Sequence, residues 1–438
     1  MSFPTYEQYK ESGASWLGLV PVGWRVAPLK SVARVINGFP FDAKLFDPAE
    51  GIPLVRIRDL NQSIPDARYK GEFVGAASID NDDVLIGMDG DFNVGRWLGS
   101  VPALLNQRMC CVRADSPLVT RFLEYVLPTP LKLINDVTYA TTVKHLSSFD
   151  VLKVSVAMPP SDLEISGVVV FLDRETAKID ALVKEQRHLI DLLKEKRQAV
   201  ISQAVTKGLD PNAPMKDSGI EWVGKVPAHW SVTRLGYFAT VENGTTPSRD
   251  TAAYWADGDV PWLASGEVNK LYIDAAEEFI TQAALQQCSL RLLPAGTVIV
   301  GLIGQGKTRG MSALLQIDAT INQNLAAICP GTQAVSAYFL HLFHAMYEWL
   351  REGGRGGNQA AMNCEMLRSL RIPVPGVAEQ TEIASSIDSK LAEIDALRAE
   401  AELAMSLLGE RRTALISAAV TGKIDVRGLV PQPEAIAA

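Results

Sequence analysis

Ser12-Gly13-Ala14-Ser15-Trp16-Leu17-Gly18, followed by Val20-Pro21 and Trp24, returns as Ser218-Gly219-Ile220-Glu221-Trp222-Val223-Gly224, Val226-Pro227 and Trp230. The spacing is kept, and Trp222 lies 206 residues beyond Trp16. Each half then ends on a second shared run. Ile179-Asp180-Ala181-Leu182 returns as Ile394-Asp395-Ala396-Leu397, and Ala204-Val205-Thr206 as Ala419-Val420-Thr421, both 215 residues on. A long repeat in only two copies is not a solenoid. It describes one chain imitating a two-fold dimer, the geometry by which two-fold DNA readers hold two recognition modules at a fixed separation.

Composition narrows the class. At 438 residues the chain is too long for one ordinary domain. A hydrophobic content of 47% with 21% charged residues fits a folded chain. No apolar run reaches the length of a membrane span, and Met1-Ser2-Phe3-Pro4-Thr5-Tyr6-Glu7 lacks the regions of a signal peptide. Five cysteines without a CxxC pattern point to reduced thiols and a cytoplasmic setting. The net charge of −8 does not advertise a nucleic-acid binder, so any basic surface is expected to be local.

Residues from about Val26 to Pro160 read as short strands and loops, with candidates at Pro53–Ile57, Val84–Ile86 and Met109–Val112. A helix is expected from Val119 to Val126, ended by Pro128. The second half repeats the order, with strands at Val298–Val300 and Leu325–Ile328 and a helix over Val335–Leu350. Pro159-Pro160 and Pro373-Val374-Pro375 close the two units. A long helical stretch follows each, from about Leu163 to Lys207 and from about Glu379 to Val420. Their apolar stripes hold Leu172, Ile179, Leu182, Leu189 and Leu193, and Ile387, Leu391, Ile394, Leu397 and Leu408. Neither helix can bury its stripe alone, so mutual antiparallel packing is expected, with one globular unit at each end. The expected fold is α+β: two globular units separated by two long helices packed as an antiparallel coiled coil, with a pseudo-two-fold internal repeat. The tail from Arg427 reads as disordered.

Several runs resemble the specificity subunits of Type I restriction–modification systems. They are Phe171-Leu172-Asp173-Arg174-Glu175-Thr176-Ala177-Lys178-Ile179-Asp180, Glu195 through Asp210, Met215 through Gly224 closing at Pro227-Ala228-His229-Trp230, and the distal copy with Pro373-Val374-Pro375, Glu379-Gln380 and Ile383. The likeness is specific in the helices and weak inside the two units, as it is in that family, whose units are its variable target-recognition domains. The first copy departs slightly, with Glu164-Ile165 where the distal copy has Glu379-Gln380. The resemblance implies a first target-recognition domain over 1–160, a central helix over 161–210, a second target-recognition domain over 211–375, a distal helix over 376–426 and a tail over 427–438. It implies a subunit without catalysis of its own that reads a bipartite, asymmetric DNA target. Two methyltransferase subunits carrying S-adenosylmethionine are expected on the helices. Restriction subunits using ATP and Mg²⁺ are expected to join them, with no cofactor on this chain.

Gly301-Leu302-Ile303-Gly304-Gln305-Gly306-Lys307-Thr308 satisfies the Walker A pattern, but its repeat partner carries Gly95-Arg96-Trp97 and Leu314-Leu315-Gln316-Ile317 looks extended rather than helical. A Gly-rich hairpin is the expected reading, and a P-loop ATPase its rival. His341 and His344 sit three apart without an evident third metal ligand, so a packed helix face is expected. No adenine-methyltransferase run of Asn-Pro-Pro-aromatic type occurs, so chemistry on the base is assigned to a partner that flips it. Contacts with DNA are expected from Arg56, Arg58, Arg96, Arg108, Lys144 and His145 in the first unit, and from Lys270, Lys307, Arg309, Arg355, Asn358 and Gln359 in the second. Asn106-Gln107 and Asn322-Gln323 recur, which favours a structural or phosphate role. The recurring Trp16, Trp24, Trp222 and Trp230 are expected to pack against the helix ends.

Overall fold

The computed structural model describes residues 3–137, 144–304, 307–352 and 362–430. Two mixed α/β lobes are linked by two long helices, Asp162–Lys207 and Val377–Val420. Two compact units result. The first is Met1–Gln186 with Leu403–Ala438, and the second is Arg187–Glu402. Each unit therefore owns part of both helices.

In the first unit a four-stranded antiparallel sheet runs in the order Val94–Arg96, Val84–Gly87, Met109–Arg113, Arg34–Asn37. The central strands are buried on both faces, which is why they read as unbroken apolar runs. Val84, Ile86, Cys110 and Val112 face a core shared with Phe122 and Val126, whereas Leu85 and Cys111 face a second core around Trp97. The second unit repeats this division. Val298, Val300, Ala326 and Ile328 share one core with Phe339 and Phe343, while Ile299, Leu325 and Ala327 lie in another with Leu315.

One strand pair ties each lobe to its helix. Ser155–Met158 lies antiparallel to Arg25–Pro28, and Arg371–Val374 to Ser231–Arg234. The segment after each repeated tryptophan thus pairs with the strand that leads into a long helix. Helix lengths in the lobes differ modestly from expectation. The first lobe helix spans Pro117–Val126, and Pro128, placed to end it, also opens a second helix, Pro128–Val137. The expected helix over Val335–Leu350 breaks at Met346 into Ser336–Ala345 and Tyr347–Glu352.

The long helices pack on each other within each unit. In the first, Ile165, Val168, Leu172 and Ile179 share a core with Leu415, Ala419 and Val420. Arg412 Nε donates to Asp180 at 3.0 Å, and Gly167 faces Val426 beyond the far helix end, so the two segments run antiparallel. In the second, Ile201 and Val205 share a core with Ile383, Ile387 and Leu391. There Arg197 donates to both oxygens of Asp395 at 3.0 and 2.9 Å. The two bridges are copies of one another, because Asp180 and Asp395, like Arg197 and Arg412, stand 215 residues apart. Gly208 and Gly422 follow the helices with φ of 73° and 72°, the left-handed conformation that ends a helix.

The seam is narrower than the sequence stripe. Leu172, Ile179, Leu193, Ile387, Leu391 and Ile394 are buried, and Leu408 is half-buried. Leu182, Leu189 and Leu397 are 51%, 40% and 47% exposed, so the expectation that they fill the helix–helix seam is corrected. A two-helix contact covers only a narrow stripe, and the third apolar residue of a three-four pattern falls on its flank. The tail expected to be disordered from Arg427 keeps order through Val430. Arg427 lies over the Tyr6 ring at 4.8 Å, and Leu429 O accepts from Arg174 at 3.1 Å. Among the described residues no helix is long and apolar enough to cross a membrane.

Candidate nucleic-acid interface

In the first unit the Gly87–Val94 loop gathers three of the six expected contacts. Asp89 accepts from His145 Nδ1 at 2.7 Å and faces Arg108 at 3.3 Å. Lys144 sits beside them, but its ammonium is turned onto Asn135, at 2.6 Å from the carbonyl and 3.1 Å from Oδ1. Asn135 in turn donates to Gly90 O. Arg108 and His145 are exposed at this loop, so the pair can meet a ligand while Lys144 serves as its brace.

The remaining three lie elsewhere. Arg56 is held by Asp59 at 3.1 Å and Asp66 at 3.8 Å. Arg96 pairs with Asp82 at 2.7 Å, and Glu124 stands 3.2 Å from its Nε. Carboxylates thus engage both guanidinium groups. Arg58 is exposed on the Ile57–Asp59 turn that follows Arg56.

In the second unit Lys270 and Lys307 line one cleft of about 570 Å³ with Arg197, His344, Tyr347 and Arg351. Glu267 holds the Lys270 ammonium at 2.8 Å and raises its pKa above the ordinary lysine value. Lys307 is exposed on the hairpin loop. Arg309 is placed differently: its Nε and Nη2 are buried without a hydrogen-bond partner. Arg355, Asn358 and Gln359 fall outside the described residues.

The strands on either side of the Walker-like run pair with each other. Val298–Gly301 pairs antiparallel with Ser312–Leu315, so a strand, not a helix, follows Lys307 and Thr308. Gln305 and Gly306 fall outside the described residues, and among those described no helix N-terminus backs this loop. His341 is buried with Nε2 2.9 Å from Asp388, and His344 Nε2 meets Ser312 O at 3.0 Å, which makes both packing residues. Among the described residues no group of three His, Cys, Asp or Glu side chains could hold a metal ion.

The recurring amides brace turns. Asn106 Oδ1 accepts from Arg108 N at 3.3 Å, and Asn322 Oδ1 accepts from Asn324 N at 3.0 Å. Gln323 Oε1 accepts from the Thr246 hydroxyl. Sequence reasoning passed over Arg249, which stacks on Trp255 beside this turn. The one signal available was an arginine in a Pro-Ser-Arg turn just ahead of two tryptophans, and nothing local told it from other arginines.

The family model of the Type I restriction modification DNA specificity domain matches residues 21–186 and 227–403. The EcoBI specificity subunit of Escherichia coli is 27% identical over 455 aligned residues, covering 100% of this chain and 94% of that protein. The MjaIX specificity subunit of Methanocaldococcus jannaschii is 32% identical over 168 residues, covering 37% of this chain and 38% of that protein. Two solved structures share the fold. A chain from work on complex assembly and conformational transition of the type I R-M system superposes with a TM-score of 0.70 at 16% identity, covering 92% of this chain and 99% of that one. The HsdS subunit from Thermoanaerobacter tengcongensis gives 0.55 at 16% identity, covering 92% and 98%.

Proposed function

The chain belongs to the Type I restriction modification DNA specificity domain family, and from that membership we propose a non-catalytic DNA-recognition and scaffold subunit of a Type I restriction–modification complex. Such a complex marks a cell's own DNA by methylating adenines and cleaves foreign DNA that lacks the mark. Functionally the chain divides into target-recognition domains at 1–160 and 211–375, helices at 161–210 and 376–426, and a tail at 427–438. One observation carries the reading: two lobes of unlike sequence are each hung on a long helix by the same tryptophan–carboxylate bond, Trp24 to Glu164 and Trp230 to Glu379. Unlike lobes on like joints suit a target with two unlike halves and an unread gap. A 46-residue helix rises roughly 70 Å at ~1.5 Å per residue, enough to set such a gap.

In the first unit DNA meets Arg108 and His145 at one loop and Arg58 at a separate turn, with Arg56, Arg96 and Lys144 shaping the surface. In the second it meets Lys270, Lys307 and Arg309, together with Arg355, Asn358 and Gln359. Leucines left exposed on the long helices, among them Leu182, Leu189, Leu192, Leu397 and Leu407, offer apolar surface to two modification subunits. Those partners carry S-adenosylmethionine, and restriction subunits carry ATP and Mg²⁺. Five free cysteines suit a cytoplasmic setting.

The test is co-expression with the modification subunit, followed by long-read detection of methylated adenines. A bipartite, non-palindromic motif that depends on this chain is expected. A continuous or palindromic motif, or methylation indifferent to the chain, rejects the reading.

A further inference from the structure

In both units the chain leaves a sheet's edge strand through Asn-Gly, at Asn37-Gly38 from the four-stranded sheet of the first and at Asn243-Gly244 from the five-stranded sheet of the second. Both loops are pinned at the same place. Phe39 N donates to Leu105 O at 2.9 Å, and Thr245 N to Ile321 O at 3.0 Å. A Cβ on Gly38 would stand 1.9 Å from Asn106 O, and one on Gly244 would stand 1.7 Å from Ile321 O. No side chain fits at either glycine.

What the pinned loops present is different. The first shows Phe39, 43% exposed, with its ring 5.1 Å from that of Phe41. The second shows Arg249. Its guanidinium lies 3.7 Å from the Trp255 ring centre and 5.1 Å from that of Trp262. Loop carbonyls lock both indoles: Trp255 Nε1 donates to Ser248 O and Trp262 Nε1 to Thr245 O, each at 3.0 Å. Glu278 accepts from Nη1 at 2.5 Å. Two tryptophans and a glutamate thus fix a group that stays 53% exposed.

An exposed arginine–glutamate pair contributes little to stability, and its effect here is to hold the guanidinium in one orientation on the tryptophans. Fixing the guanidinium in advance reduces the ordering cost of binding. Nε and Nη2 remain as a planar fork of donors, the shape that pairs with O6 and N7 of guanine in the major groove. A role common to both half-sites would recur, as Asn106 and Asn322 do. At the 206-residue offset of the two Asn-Gly turns, Arg249 has Ala43 opposite it in the first unit, followed by Lys44, and no arginine. Resting on the DNA-reading role above, we infer that Arg249 reads a guanine in the half-site recognised by the second unit.

The experiment compares wild type, Arg249→Lys, Arg249→Ala and Glu278→Gln in the complete modification complex. It uses methylome sequencing and duplex binding at several salt concentrations. One half of the wild-type motif should contain a G·C pair that becomes degenerate in both Arg249 variants, with discrimination there falling roughly 5- to 150-fold. The other half should stay intact, which also reports correct folding. Arg249→Lys keeps the charge and loses the fork, so it should keep non-specific affinity and the salt slope while losing discrimination. Glu278→Gln should weaken discrimination at the same pair, and by less. An unchanged motif in the Arg249 variants overturns the inference. So does a uniform loss of affinity with a salt slope lower by about one, the mark of a phosphate contact. Failure of the underlying DNA-reading role looks different: the wild-type complex itself would then yield no chain-dependent bipartite motif.

Discussion

The indole N–H of Trp24 donates to Oε1 of Glu164 at 2.8 Å, and Tyr6 donates its hydroxyl to the same oxygen at 2.5 Å. Glu164 stands in the first turn of its helix, where a negative charge suits the helix dipole. Burial, with help from Glu164, pushes the Tyr6 phenol well above its ordinary pKa, so it remains a donor. Trp230 and His229 converge on Glu379, one on each carboxylate oxygen, at 2.9 and 2.8 Å. Replacing Glu164 with Leu strands the buried indole N–H and the phenol, which should cost about 2–4 kcal/mol. Glu164→Gln keeps one acceptor oxygen and should cost roughly half as much. Urea unfolding of the two variants checks the order; equal losses would mean that packing, not the carboxylate, makes the joint.

His344 makes the second unit sensitive to acid. Burial lowers its pKa below the ordinary histidine value, only partly offset by the bond to Ser312 O. The unfolded chain titrates near ~6.5. As pH falls from there toward the folded pKa, the unfolded state takes up a proton that the folded state refuses, so stability drops in that window and is flat above it. The urea midpoint of the second unit should fall between pH 7.5 and 5.5. His344→Gln should remove most of that fall, and a variant with the wild-type slope would assign the sensitivity to another group.

Lys307 tests the Walker-like loop. The strand Ser312–Leu315 that follows it leaves phosphates no helix N-terminus. Lys307→Ala should therefore leave ATP binding by the chain unchanged, at the level of non-specific association. In the assembled complex it should weaken DNA binding across all sequences and lower the salt slope by about one. Isothermal titration with ATP and salt-dependent gel shifts check the two halves of this expectation.

The repeat made the helix pair legible because it is written in local sequence. The run Ile179-Asp180-Ala181-Leu182 and its copy carry the acidic ends of both inter-helix bridges. The seam was only half legible. Ile179 is buried and Leu182 exposed three positions on, although both fit the stripe, because rotation about the helix axis depends on the neighbouring helix. The candidate site was least legible. Arg96 looks like Arg108 in sequence, yet Asp82 and Glu124, from other elements, hold the first while the second stays open to solvent. Arg249 is distinguished only by Trp262 and Glu278, which arrive from distant strands. Charge pairing across a fold leaves no local pattern to read.

Gly38 and Gly244 offer a way to disable one lobe at a time. Neither needs glycine for its dihedral angles; each needs it because a backbone carbonyl occupies the space a Cβ would take. The obstructing atoms, Asn106 O and Ile321 O, are backbone and cannot swing aside, so Ala must push the loop off its anchor. Overpacking of this kind costs about 1–3 kcal/mol or more. In Gly244→Ala the bond from Thr245 N to Ile321 O should open, and with it the support of the Trp262 indole on Thr245 O. Hydrogen exchange should then lose protection around residues 243–263 while the first unit keeps its own. Gly38→Ala should give the converse, with faster exchange near Phe39 and Leu105 and an unaltered second unit. Loss spreading through both units in either variant would mean that the lobes are not independent folding neighbourhoods around their anchored turns.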